Sequence, residues 1–342
     1  MAKTSLAIQR TGLVTSVGLS APSACAAIRA KITNPSETRF IDSTGQWIMA
    51  HEVPLEQPWR GLSKLARMAT MAIEECLEDI PQDAWLQIPL LLCVAEHDRP
   101  GRLAGLDDQL FIDIQQLLGA NFSPDSSIVA HGRASMAVAM VAADKLLQQK
   151  KCTRVLVAAA DSLLTWPTLS VYEKADRLLT EKNSNGFMPG EAGGAVLLGL
   201  PSNNIELRCT GIGFAIEKAH LESGEPLRAE GMSTAIKQAL ANAGHQMHDM
   251  DYRITDISGE QYYFKEAALA LSRTMRQRKE EFDIWHPAEC TGETGAASGM
   301  AMLAVADAAC RKAYTMGPNI ITHMANDSGQ RAAAILEFAG AA

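Results

Sequence analysis

Gly186-Phe187-Met188-Pro189-Gly190-Glu191-Ala192-Gly193-Gly194-Ala195 is a glycine-rich approach to an apolar run over residues 195–200, which reads as a strand buried on both faces. Working back along the chain, residues 154–160 form another apolar run, ending at Asp161. Residues 132–151 form a long Ala- and Met-rich helix, and residues 127–130 a short strand. Residues 88–95 are an unbroken apolar run with strand character. Helices are predicted over residues 20–31, with Ser20 as cap and Pro22 in the first turn, and over 62–79 and 103–118. Residues 5–9 read as a strand, followed by the turn-rich Thr11-Gly12-Leu13-Val14-Thr15-Ser16-Val17-Gly18. Downstream, Pro201-Ser202-Asn203-Asn204 marks a boundary. Beyond it come a strand (205–213), an amphipathic helix (229–243), a strand (252–257), helices (262–277 and 295–313) and a strand (319–324). Alternating strands and helices predict an α/β fold with sheets covered by helices. The two parts share a coarse order of elements, which points to duplicated halves at residues 1–202 and 203–342.

Composition narrows the function. The chain has 342 residues, 47% of them hydrophobic and 20% charged, enough for a sizeable core. With 31 Lys+Arg against 39 Asp+Glu the net charge is −8, which argues against a nucleic-acid partner. The seven cysteines, at 25, 76, 93, 152, 209, 290 and 310, form no C-x-x-C pair. A disulfide framework and a zinc site are therefore not expected, and isolated thiols fit a reducing, cytoplasmic compartment. No apolar run reaches the ~18 residues of a membrane span, and residues 1–10 do not read as a secretory signal. No cofactor motif is present.

Four segments in order resemble the β-ketoacyl synthase branch of the thiolase-like superfamily. They are Thr11 to Gly18, Gly186 to Ala195, the stretch Tyr252 to Glu266, and Thr291-Gly292-Glu293-Thr294-Gly295-Ala296-Ala297-Ser298-Gly299. The resemblance covers nearly the whole chain. It implies a thiolase-like duplicated αβαβα layered fold with two similar halves, and pairing into a dimer through a strand near the central helix, with residues 154–160 or their neighbour as the edge. The chain is shorter than a typical member, and the missing length is expected in loops that usually close the acyl pocket.

The resemblance also locates the reactive centre, and the residues there are changed. The family's nucleophilic cysteine falls on His131, in Ile128-Val129-Ala130-His131-Gly132-Arg133-Ala134-Ser135. Its first histidine falls on Ser258 and its second on Glu293. Its lysine has no equivalent between Pro287 and Cys290, and its final glycine-rich turn is matched only by Ala325-Asn326-Asp327-Ser328-Gly329. Condensation needs a thiolate to hold the acyl group, and acyl-imidazoles hydrolyse readily. Decarboxylation of a malonyl thioester needs neutral donors facing the developing enolate, which a carboxylate at Glu293 would repel. Condensation is therefore not expected. Two readings stay open. One is a non-catalytic partner, scaffold or accessory subunit, as homodimer or heterodimer with a ketosynthase-like protein, in contact with an acyl carrier protein or a secretion-system component. The other is a thioester or ester hydrolase or acyltransferase, with His131, Ser258 and Glu293 recast as base, hydroxyl and orienting carboxylate.

Other polar groups read as ordinary surface. Glu96-His97-Asp98-Arg99 reads as a solvated, salt-bridged loop rather than a metal or acid/base cluster. His245 and His248 have no third ligand nearby. The basic run Arg273 to Lys279 reads as a solvated helix end, or as a dock for an acidic carrier. Cys290 reads as a buried structural cysteine.

Overall fold

The computed structural model describes residues 5–339; the first four residues of the N-terminal stretch read above lie outside them. In chain order the first half carries β1 (Leu6–Val14), α1 (Ala21–Arg29), β2 (Ser36–Ile41), β3 (Trp47–Ala50), α2 (Gly61–Leu77), β4 (Leu90–Cys93), α3 (Gln109–Leu118), β5 (Ser127–Val129), α4 (Ser135–Gln148), β6 (Arg154–Ser162), α5 (Trp166–Lys174) and β7 (Glu191–Gly199). The second half carries β8 (Glu206–Ile216), α6 (Glu230–Ala243), β9 (Tyr252–Thr255), α7 (Gln261–Thr274), β10 (Ile284–Trp285), α8 (Ala288–Thr291), α9 (Ser298–Arg311), β11 (Asn319–Ala325) and β12 (Gln330–Ala339).

Ten strands lie in the order β10-β9-β11-β12-β8-β1-β7-β6-β4-β5. Numbering within each half only the strands of this sheet, with the separate β2–β3 hairpin left out, both run 3-2-4-5-1 from their outer edge. The parallel and antiparallel pairings also correspond: β1 and β8 lie antiparallel to the last strand of their half, and the outer strands are parallel. The sheets meet through three residue pairs of β1 and β8, centred on Ala7↔Arg208. Duplication is thus written in the topology.

Five layers follow from where apolar groups sit. α2 and α3 cover one face of the first sheet. α6 and α7 cover the outer face of the second. α4 and α9 lie between the two sheets, in the largest core. α9 is buried nearly all round, as a middle-layer helix must be, and its small residues admit close neighbours. The opening motif shows the same constraint. β7 is buried along its whole length. A Cβ on Gly193 would come within 2.5 Å of the Met68 backbone in α2, and one on Gly194 within 2.4 Å of Met300 Cβ in α9. Consecutive strand residues face opposite sides, so the paired glycines let both layers approach. Glu191, buried in that motif, pairs with Lys64 of α2 and accepts from Ser162 Oγ at 2.8 Å.

Some expectations are corrected. Residues 154–160 are not an edge: β6 lies inside the sheet between β7 and β4, and the outer strands are β5 and β10. β1 extends through Val14, because residues read as a turn pair with β7. The predicted helix at 103–118 starts only at Gln109, capped by the Asp108 side chain. The β2–β3 hairpin, α5 and β12 carry no clear sequence signal. Among the described residues no helix is long and apolar enough to cross a membrane.

Candidate functional site

Between β5 and α4 the chain makes a tight turn. Gly132 sits at φ +50°, and a Cβ there would meet Glu96 Oε2 at 2.0 Å. The second half repeats the device before α9, where Gly295 has φ +55° and its Cβ would meet Asp161 Oδ2 at 2.1 Å. Only glycine fits both conformation and contact. The first turn sends its flanking side chains to different places. His131 lines an open groove with His97, Asp107, Ile128 and Gln330, and its Nδ1 donates to Gln330 Oε1 at 3.1 Å. Arg133 points into the junction of the two halves.

There Arg133 is buried and donates to Glu293 Oε2 (3.2 Å), Tyr263 Oη (2.7 Å) and Asp327 Oδ1 (2.9 Å). Arg177, just after α5, donates to both oxygens of Glu260, each at 2.8 Å, and to Asp327 Oδ2 at 2.6 Å. Arg99 holds Glu96 through two bonds of 2.8 and 2.7 Å and lies 3.3 Å from Asp161. Asp327 is the hub, since it also accepts from Tyr263 Oη at 2.5 Å. It stands at the tip of the β11–β12 hairpin, where Asn326 Nδ2 donates to the His131 carbonyl at 2.7 Å. The half-open cavity between the three arginines, Glu96, Glu260, Glu293 and Asp327, with Leu163, Tyr172 and Phe187, measures about 20 Å³. That is room for a single water.

The charges are graded. Burial would raise the Asp327 carboxyl, but Arg133 and Arg177 overcome it and hold Asp327 far below the usual range. Burial likewise opposes Glu96, and Arg99 wins, keeping it low. At Asp256 burial wins: despite Arg133 and the Ala325 N–H its pKa rises to about 7. Burial raises Asp161 as well, against Arg99. Burial also raises Tyr263, leaving it a neutral donor to Asp327. Three guanidiniums thus face six carboxyl groups, Glu96, Asp161, Asp256, Glu260, Glu293 and Asp327, with Asp256 titrating near neutrality.

Of the three residues read from the sequence, two meet. Ser258 Oγ donates to Glu293 Oε2 at 2.8 Å. Glu293 Oε1 accepts from the Gly295 N–H at 2.9 Å. The Ser258 hydroxyl is therefore spent on a carboxylate, and the His131 ring is engaged with Gln330 instead. Glu96 and Arg99 are not solvated, as their segment suggested; only His97 and Asp98 face water. Cys290 packs among core residues on α8, and burial pushes its thiol up to about 11. The arginines and their carboxylates were missed. One signal was available: Arg133 interrupts the apolar start of a helix read as central, and a buried guanidinium demands carboxylate partners.

No protein-family model and no curated protein matches the sequence. Solved structures do match in fold. The ishigamide ketosynthase/chain length factor aligns with TM-score 0.79 at 15% identity, over 99% of this chain and 100% of that one. A ketosynthase (ApeO) in complex with its chain length factor (ApeC) from Xenorhabdus doucetiae aligns with TM-score 0.74 at 13% identity, over 98% of each chain. A type II polyketide acyl-carrier protein in complex with its ketosynthase bound to the hexaketide gives TM-score 0.79 at 13% identity, over 98% of this chain and 100% of that one. The chain has the thiolase-like, ketosynthase fold.

Proposed function

We propose that this chain is a non-catalytic ketosynthase-like subunit, a partner, scaffold or accessory protein that works by binding. The observation that carries this reading is the cavity at the junction of the halves. Arg99, Arg133, Arg177 and their carboxylates occupy it, leaving about 20 Å³. A thioester among these side chains would find no thiolate, room for little more than a water, and the Glu293 carboxylate where a developing oxyanion needs neutral donors. The halves divide at residues 202 and 203. Ketosynthases that pair with chain length factors, and one bound to an acyl-carrier protein, share this fold. They support pairing of this chain with a second copy or with a ketosynthase-like protein, and contact with an acyl carrier protein. A secretion-system component is a further partner class. Seven unpaired thiols, mostly buried, go with a cytoplasmic location.

The test is direct. The purified protein is incubated with acyl thioesters of several chain lengths, alone and with malonyl thioester. The expected result is no acyl adduct by intact mass, no condensation product and no thiol release above buffer. Thioester hydrolysis that disappears in both Ser258→Ala and His131→Ala would overturn this reading in favour of a hydrolase or acyltransferase.

A further inference from the structure

A different cavity, of about 300 Å³, opens where the end of α1 meets β10 and α9. It shares no lining residue with the charged cavity, and its volume is at the lower end of small-molecule sites. Ile28 and Val305 form its apolar floor, and Trp285 and Tyr314 supply aromatic surface. These rings are held in place. Trp285 packs on Tyr252 with centroids 4.5 Å apart and lies nearly parallel to Tyr314, with 6.4 Å between centroids.

The polar groups are few and unequal. Lys31 is neutralised by Glu289. Arg29 is not: its guanidinium lies over the Tyr314 ring, 4.1 Å from the centroid, and among the described residues it has no carboxylate partner. A guanidinium stacked on a ring keeps its N–H edge free, and that edge fits two oxygens of a carboxylate or phosphate. His286 also lines the pocket, and its Nδ1 is buried without a hydrogen-bond partner. The nearest carboxylate, Glu289, stands 3.7 Å from that nitrogen. An aromatic wall beside one uncompensated guanidinium has a definite complement.

We propose that this pocket binds a small organic anion, a carboxylate or phosphate group on a flat apolar body, with the anion on Arg29 and the body against Trp285 and Tyr314. The site is independent of whether the charged cavity is catalytically silent.

The probes are 2-naphthoate and 2-naphthyl phosphate, with 2-naphthalenemethanol as the uncharged control, added to the full chain. Binding is read by calorimetry and by the Trp285 indole N–H resonance, assigned by its loss in Trp285→Phe. The expected result is saturable binding of one or both anions that shifts this resonance. Arg29→Gln should weaken it by about tenfold or more, the loss of a charged hydrogen-bonding group. Arg29 is exposed, so the variant should unfold with the wild type. Tyr314→Leu should weaken both anions, and the ratio of the two affinities tells carboxylate from phosphate recognition. The proposal is overturned if neither anion binds, if the alcohol binds as tightly, or if Arg29→Gln binds at wild-type strength.

Discussion

At Arg133 a single guanidinium serves Glu293, Tyr263 and Asp327, and it lies 3.8 Å from Asp256. Removing one partner of a buried ion pair leaves charge without compensation and costs about 3–5 kcal/mol. Arg133→Met should therefore destabilise the protein by that order, read from urea unfolding. His131→Ala should cost under about 1 kcal/mol, since it loses one half-exposed hydrogen bond. Equal losses in the two variants would contradict this account of the turn. Asp256 supplies a pH test. Its pKa in the folded protein, about 7, lies above the ordinary 3.8. The folded state therefore holds the proton more tightly than the unfolded chain, and stability declines as pH rises from about 4 to about 7. Asp256→Asn removes that decline. Between pH 5 and pH 8 the wild type should lose stability relative to the variant, and parallel curves would show that Asp256 is ionised throughout.

At the scale of elements, the paired glycines of β7 set how closely α2 and α9 approach the sheet. In Gly193→Ala the new methyl meets the Met68 backbone, which cannot swing aside like a side-chain tip. A loss of about 1–3 kcal/mol is expected from denaturant unfolding. No loss would mean that α2 is free to move outward. Legibility in the sequence followed the same physics. β4, β6 and β7 were readable because strands buried on both faces are apolar without interruption. β12 was not, because Ala332, Ala333 and Ala334 favour helix locally and become a strand only between β11 and β8. Ser258 and Glu293 could be placed through motifs. The cluster around them could not, because Arg133 and Asp327 are 194 residues apart and no local pattern joins them. Glu96-His97-Asp98-Arg99 looked like surface because four polar residues in a row usually are. Yet Glu96 packs under Gly132 and Arg99 is buried beside Asp161.

At the scale of the whole molecule, the proposed pairing has a candidate edge. β5 bonds only to β4 among the described residues, leaving an edge beside the turn that carries His131. An unpaired edge is a template for another chain. A homodimer through this edge should give, in light scattering at micromolar concentration, twice the 36.8 kDa of one chain. Ile128→Asp, a charge on the half-buried face of that edge, should return it to one. A wild-type monomer would count against the homodimer, and co-purification with a co-expressed ketosynthase-like protein then decides for or against the heterodimer.

The charged cavity also shapes which descendants of this sequence are reachable. Opening a larger space at this junction requires Arg99, Arg133 and Arg177 to leave together with most of their carboxylates. Each intermediate that drops one member strands a buried charge, at about 3–5 kcal/mol, a large share of the ~5–15 kcal/mol that keeps a typical protein folded. A cysteine placed at position 131 alone would put a thiol in the outer groove that His131 lines, not in the charged chamber. The network thus separates this sequence from an open-pocketed one by a valley of unstable intermediates. An open chamber at this junction therefore demands several coordinated changes at once.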